Sequence, residues 1–241
     1  MLEATGWGLL AGSSLVLGAM IGVFGEPRWR FVGLVLGFGA GTLISAISFE
    51  LTEEAYRLGG ADALTFGLAA GALAFYLGDR LISPRKPEPG HPRAVPEDDE
   101  SGRALLLGAL LDGVPETAVL GTTLLTGSGV GVPVLAAIFL SNLPEGIGGA
   151  VGMQRSGVPR RRIIVLWTAV AVACAAAAGF GYVALDGASG EAVAWLQAFA
   201  AGAVLAMLAI QMFPQAIHKA GPESGLLTVL GFALAYLLST V

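Results

Sequence analysis

Apolar positions in this chain run on rather than alternate with polar ones. Stretches of about 20 apolar or small residues recur, the length an α-helix needs to cross the hydrocarbon core of a bilayer. Eight are read, at residues 5–24, 31–51, 61–82, 104–124, 130–152, 163–183, 192–212 and 225–241. Backbone in lipid must satisfy its own polar groups, so each stretch is predicted as a helix. The short alternating segments of a membrane β-barrel are missing from the pattern. The fold class is therefore an all-α membrane protein with eight transmembrane helices.

Composition narrows the function classes. Only 13% of residues are charged and 55% are hydrophobic, with a mean hydropathy of +0.75. A soluble domain carries about 25% charged residues, so too few charges are present here to coat one. Cys174 is the single cysteine, which excludes an intrachain disulfide framework or a cysteine metal cluster. His91 and His218 are the two histidines, too few for a histidine-rich centre. The basic residues are dispersed among short loops, so no nucleic-acid partner is expected. Glu3, with no Lys or Arg near it, argues against reading the first stretch as a signal peptide.

Charge also orients the spans. Arg28 and Arg30 follow span 1, and Arg80, Arg85, Lys86, Arg93 and Arg103 lie around the connection from span 3 to span 4. Arg155, Arg160, Arg161 and Arg162 lie between spans 5 and 6, and Lys219 follows span 7. Of the 13 basic residues only Arg57 falls on the other side. The positive-inside rule then places both termini outside and predicts a multi-pass protein of the plasma membrane, with the lipid bilayer as its surroundings. Residues 83–102 hold five prolines and mixed charge, and are read as a disordered cytoplasmic loop within a single transmembrane domain spanning 1–241.

The chain also resembles itself. Phe38-Gly-Ala-Gly41 in span 2 recurs as Phe199-Ala-Ala-Gly202 in span 7, at an offset of 161 residues. The same offset aligns Glu50 with Gln211, Glu54 with Gln215 and Gly60 with Gly221. By the charge rule, spans 2 and 7 run in opposite directions. The expected architecture is therefore an inverted repeat, spans 1–3 and 6–8 flanking spans 4 and 5, the construction common to secondary transporters.

Spans 4 and 5 hold the chemistry. Each carries a central Pro-Glu, Pro115-Glu116 and Pro144-Glu145. An ionised carboxylate at mid-bilayer is costly and normally faces a cavity or a partner. Asp112 and Glu116 share a helix face at a spacing of four, as do Ser141 and Glu145, with Asn142 one step round. Pro115 and Pro144 each deprive a preceding carbonyl of its hydrogen bond, so both helices are expected to kink and bare an oxygen. Asp112, Glu116, Ser141, Asn142 and Glu145 thus form a hard-oxygen set suited to a divalent cation. The competing reading is protonated acids hydrogen-bonded between helices. Glu50, Gln211 and His218 stand near span ends, along a path for entry or exit; a charged helix end explains Glu50 equally well.

The Pro-Glu motifs, the stretch GFGAGTLISAISFEL (37–51) and the stretch AFAAGAVLAMLAIQMFPQA (198–216) resemble the ZIP (Zrt/Irt-like) metal transporters over nearly the whole chain. The resemblance implies eight spans, a long cytoplasmic loop after span 3, and a divalent-metal site between spans 4 and 5 in which Glu116 and Glu145 are ligands. This chain departs from the family at several positions. Asp112 and Ser141 stand where histidine is frequent, and Gly113 follows Asp112 in place of asparagine. Asn142, Gln211 and Gln215 replace residues that are often acidic, and Cys174 lies in span 6 where some members have glutamate.

The function expected is transport of a divalent metal ion into the cytoplasm, with zinc, manganese or iron as substrate and no permanently bound cofactor. The alternative is a non-transporting membrane scaffold with a degenerate site. No P-loop is present to power a pump. An intramembrane hydrolase, built on Asp79 with Asp112 or on a serine near His218, lacks the base and motif it would need. Glycine-rich helices permit a homodimer.

Overall fold

The computed structural model describes residues 1–25, 27–82 and 132–239, with scattered positions between 106 and 124. The expected loop at 83–102 and about half of span 4 lie outside the described residues. Helix α1 covers Leu2–Gly25, and α2 covers Trp29–Ala46 before a π-helical turn at Ile47–Leu51. Helix α3 follows over Thr52–Ile82, then α4 at Val132–Arg155 and α5 at Arg160–Leu185. Helix α6 spans Gly190–Met207 and leads through a second π turn, Leu208–Met212, into α7 at Phe213–Ala220 and α8 at Glu223–Ser239. No strand occurs among the described residues. Four stretches among them are long and apolar enough to cross a bilayer: Leu2–Gly25, Trp29–Leu81, Arg160–Leu185 and Gly190–Ala220.

Two helices outrun their apolar signal. Span 2 was expected to end at 51, yet helix continues through the polar 52–59 segment; span 7 likewise continues from 212 to Ala220. Both stop at a glycine in a conformation closed to L side chains. Gly60 has φ 70° and ψ −168°, and Gly221 has φ 74° and ψ −166°. That corner of backbone space is essentially glycine-only, so these two residues set where the chain bends. The order of helix, π turn, short helix and glycine bend is therefore the same from Trp29 as from Gly190, element for element, 161 residues apart.

Packing follows the small residues. The arm of α3 beyond Gly60 packs along α6, and α8 packs along α2. A Cβ at Gly71 would strike the Phe199 carbonyl oxygen, and one at Gly202 the Leu68 carbonyl oxygen. The same reciprocal pairing joins Gly41 to Thr228 and Gly231 to Phe38. Lipid tails are as apolar as leucine, so close backbone approach and dispersion, rather than hydrophobic transfer, hold such helices together. Thr228 adds a hydrogen bond from its Oγ1 to the Gly37 carbonyl, 2.9 Å long. Helix α1 packs against α4 and α5. One apolar cluster joins α2, α4, α6 and the two π turns, and a second joins α1, α4 and α5 around the fully buried Trp167.

Candidate functional site

Helix α4 carries half of the expected site. It runs on through Pro144, whose ring nitrogen has no proton for the Leu140 carbonyl. Ser141, Asn142 and Glu145 are all buried, with Glu145 6% exposed. The Ser141 hydroxyl donates to the Ile138 carbonyl at 3.0 Å, which leaves its oxygen able to accept. The Asn142 Nδ2 group is buried and has no hydrogen-bond partner among the described residues. Gly39 of α2 brings backbone close here: a Cβ on it would sit 3.1 Å from the Pro144 ring and 3.3 Å from the Ser141 Cα. The close fit of α2 on α4 is thus a property of glycine at 39.

From span 4, Glu116 is 5% exposed and the neighbouring Thr117 is fully buried. Thr117 donates its hydroxyl back to the Gly113 carbonyl one turn earlier. A Cβ at Gly113 would meet the Cys174 sulfur at 2.8 Å, so span 4 lies close on α5 at this level. Asp112 and Pro115 lie outside the described residues. Among the described residues, no three His, Cys, Asp or Glu side chains converge as a ready metal cluster. Without Asp112, the expected set is Glu116 on span 4 and Ser141, Asn142 and Glu145 on α4, each of them buried.

Glu145 opens onto a cavity of about 10 Å³, room for roughly one water molecule. Its lining also includes Leu36, Met207, Gln211 and Gln215. The structure therefore brings Gln211 to the same small space as Glu145, through the second π turn. It does not bring Glu50 or His218 there: Glu50 is half-buried on the first π turn, and His218 is exposed on α7. Glu54, next to Glu50's turn, is held by Arg57 at 2.6 Å.

One buried acid had no place in the expected site. Asp79, 7% exposed, accepts a hydrogen bond of 2.9 Å from the Gln211 Nε2 group. It reads in sequence as a polar helix end beside Arg80, and its partner is 132 residues away. Arg80 turns instead to the Tyr76 hydroxyl at 3.0 Å. Lys219 likewise donates to the Gln215 Oε1 atom at 2.7 Å. Both cavity glutamines are thus held in place, one by an acid from α3 and one by a base from the end of α7.

No family model matches the chain. Among curated proteins, zinc transporter SLC39A7 of Mus musculus is 25% identical over 149 residues, covering 56% of this chain and 31% of that protein. The human protein of the same name is 26% identical over 137 residues, covering 54% of this chain and 29% of its own length. A candidate zinc transporter of Arabidopsis thaliana is 25% identical over 203 residues, covering 82% of this chain and 32% of that protein. The chain spans about a third of the length of these relatives. With its long apolar helices, it is a multi-pass membrane protein distantly similar to proteins named as zinc transporters.

Proposed function

We propose that this chain is a divalent-metal transporter of the ZIP type, carrying zinc, manganese or iron into the cytoplasm across the plasma membrane. The observation that carries the reading is the burial of Glu116 and Glu145, 5% and 6% exposed, each inside an apolar stretch. Two carboxylates are expensive to keep in such surroundings without a task. A divalent cation would offset that cost, and the Ser141 oxygen and the Asn142 amide turned by its carbonyl would complete a hard-oxygen shell with Asp112. The likeness to zinc transporters supports the same substrate class.

Eight spans in an inverted repeat fit this reading. A straight helix of 53 residues would be about 80 Å long, more than twice a bilayer core. The bend at Gly60 divides Trp29–Leu81 into two passes, and Gly221 does the same between α7 and α8. Matching elements that run in opposite directions would let two bundles rock about spans 4 and 5, exposing the ion to either side in turn. Glu145, Gln211 and the small cavity then mark the start of the inward path.

The test is metal flux into liposomes loaded with a chelating dye, comparing Zn²⁺, Mn²⁺ and Fe²⁺. Removing a carboxylate that binds the ion should lower flux at least about tenfold in Glu116→Ala and Glu145→Ala, the scale of one lost charged contact. Absence of metal-dependent flux in the wild type, or flux unchanged in both variants, rejects transport through this site.

A further inference from the structure

The face at which α2 begins and α4 and α7 end gathers positive charge around one aromatic ring. The Arg155 guanidinium carbon lies 4.3 Å from the centroid of Trp29, and the Lys219 ammonium 4.9 Å from the same centroid. On the neighbouring edge, Arg160 stands 5.8 Å from the ring of Phe24. Arg30, one residue along, is neutralised by Glu223 at 3.1 Å. Arg155 has no such partner among the described residues. Each of the two cations also faces the C-terminal turn of its own helix, which is favourable for one charge. That does not explain why two helices deliver their charges to a single indole.

We propose that Trp29, Arg155 and Lys219 form a binding site for the phosphate of an anionic phospholipid. A phosphodiester beside the Trp29 ring would bring opposite charge to both cations while the Lys219 ammonium keeps its hydrogen bond to Gln215, and Arg can bind it through two parallel hydrogen bonds. Tryptophan is the residue that settles at headgroup depth, and basic pockets between helices take anionic headgroups. The Lys219 stem is pressed against α2, since a Cβ at Gly33 would lie 2.8 Å from the Lys219 Cβ, so the ammonium is presented from a fixed base. Assigning the lipid to the cytoplasmic leaflet rests on the orientation proposed above; the site itself does not.

Native mass spectrometry of the purified chain in detergent micelles tests this without any metal. Phosphatidylglycerol should be retained in preference to phosphatidylcholine by the wild type. At about 1 kcal/mol per basic residue, retention should fall about fivefold in Arg155→Gln or Lys219→Gln and about thirtyfold in the double variant. Arg161→Gln/Arg162→Gln removes the same charge from the same face, at positions not stacked on Trp29, and should change retention less than about threefold. The single variants keep the test decisive if the double variant does not fold. Equal retention of both lipids by the wild type, equal losses in the control pair, or displacement of the lipid by millimolar inorganic phosphate would each overturn the assignment. Because binding is read without transport, its failure leaves the flux reading standing, and loss of flux leaves this one standing.

Discussion

At the scale of single residues, what sequence could reveal was set by the medium. Glu116, Glu145, Ser141 and Asn142 stand out because each is polar in the middle of an apolar run, and all four are buried. Asp79 did not stand out, because a carboxylate beside an arginine at a span end is what any helix terminus looks like. Its significance lies in a partner on another helix, Gln211, that no local spacing reveals. Asp112, half of the expected carboxylate pair on span 4, lies outside the described residues, so that part of the site rests on spacing alone. The Asp79–Gln211 bond gives a prediction at this scale. Gln211→Leu removes the donor and leaves a buried carboxylate oxygen short of one hydrogen bond, which should cost about 1.5–3 kcal/mol. The expected outcome is a lower Tm in detergent than for the wild type, with Gln211→Asn falling between the two. A Tm equal to the wild type for Gln211→Leu would show that the bond contributes nothing to stability.

Elements were legible where hydrophobicity defined them and blurred where it did not. The helical continuations at 52–59 and Phe213–Ala220 carry Glu53, Glu54 and Arg57 in one case and Gln215, His218 and Lys219 in the other, so an apolar pattern ends before the helix does. The π turns have no sequence mark of their own; ISFEL and LAIQM contain neither proline nor glycine. A single extra residue in a turn is fixed by how the flanking helices pack, and π turns often lie at functional positions. Here one of them delivers Gln211 to the cavity beside Glu145. The glycine bends can be weighed directly. Gly60→Ala and Gly221→Ala force a Cβ into a glycine-only conformation and should each cost about 1–3 kcal/mol. Gly6→Ala and Gly225→Ala, in helices with nothing within 4 Å of the new Cβ, should be neutral or stabilising by up to about 1 kcal/mol. Thermal unfolding of the four variants in one detergent separates bend from spacer; similar shifts in all four would mean the bends carry no special conformational load.

For the molecule as a whole, orientation follows from where charge collects. Arg155, Arg160, Arg161 and Arg162 flank the turn between α4 and α5, whereas the turn after α5 holds Asp186 and leads to Glu191 in the first turn of α6. Helix α5, 26 residues long, has the length to bridge the hydrocarbon core, so its two ends should sit on opposite sides. Cys174, the one native thiol, is fully buried within it and should stay silent toward a membrane-impermeant maleimide. Introduced Cys at Arg161 and at Asp186, both exposed, then report one side each. In right-side-out vesicles the Asp186→Cys protein should label immediately, and the Arg161→Cys protein only after the membrane is permeabilised. The reverse pattern would place the arginine-rich turn outside, turn the Glu145–Gln211 cavity toward the exterior, and make the same helices an export path. Labelling of both from outside would remove α5 as a membrane crossing and, with it, the two-bundle mechanism. The direction of the proposed transport therefore depends less on the ligand atoms than on which leaflet attracts four arginines, a preference written in the sequence before any ion binds.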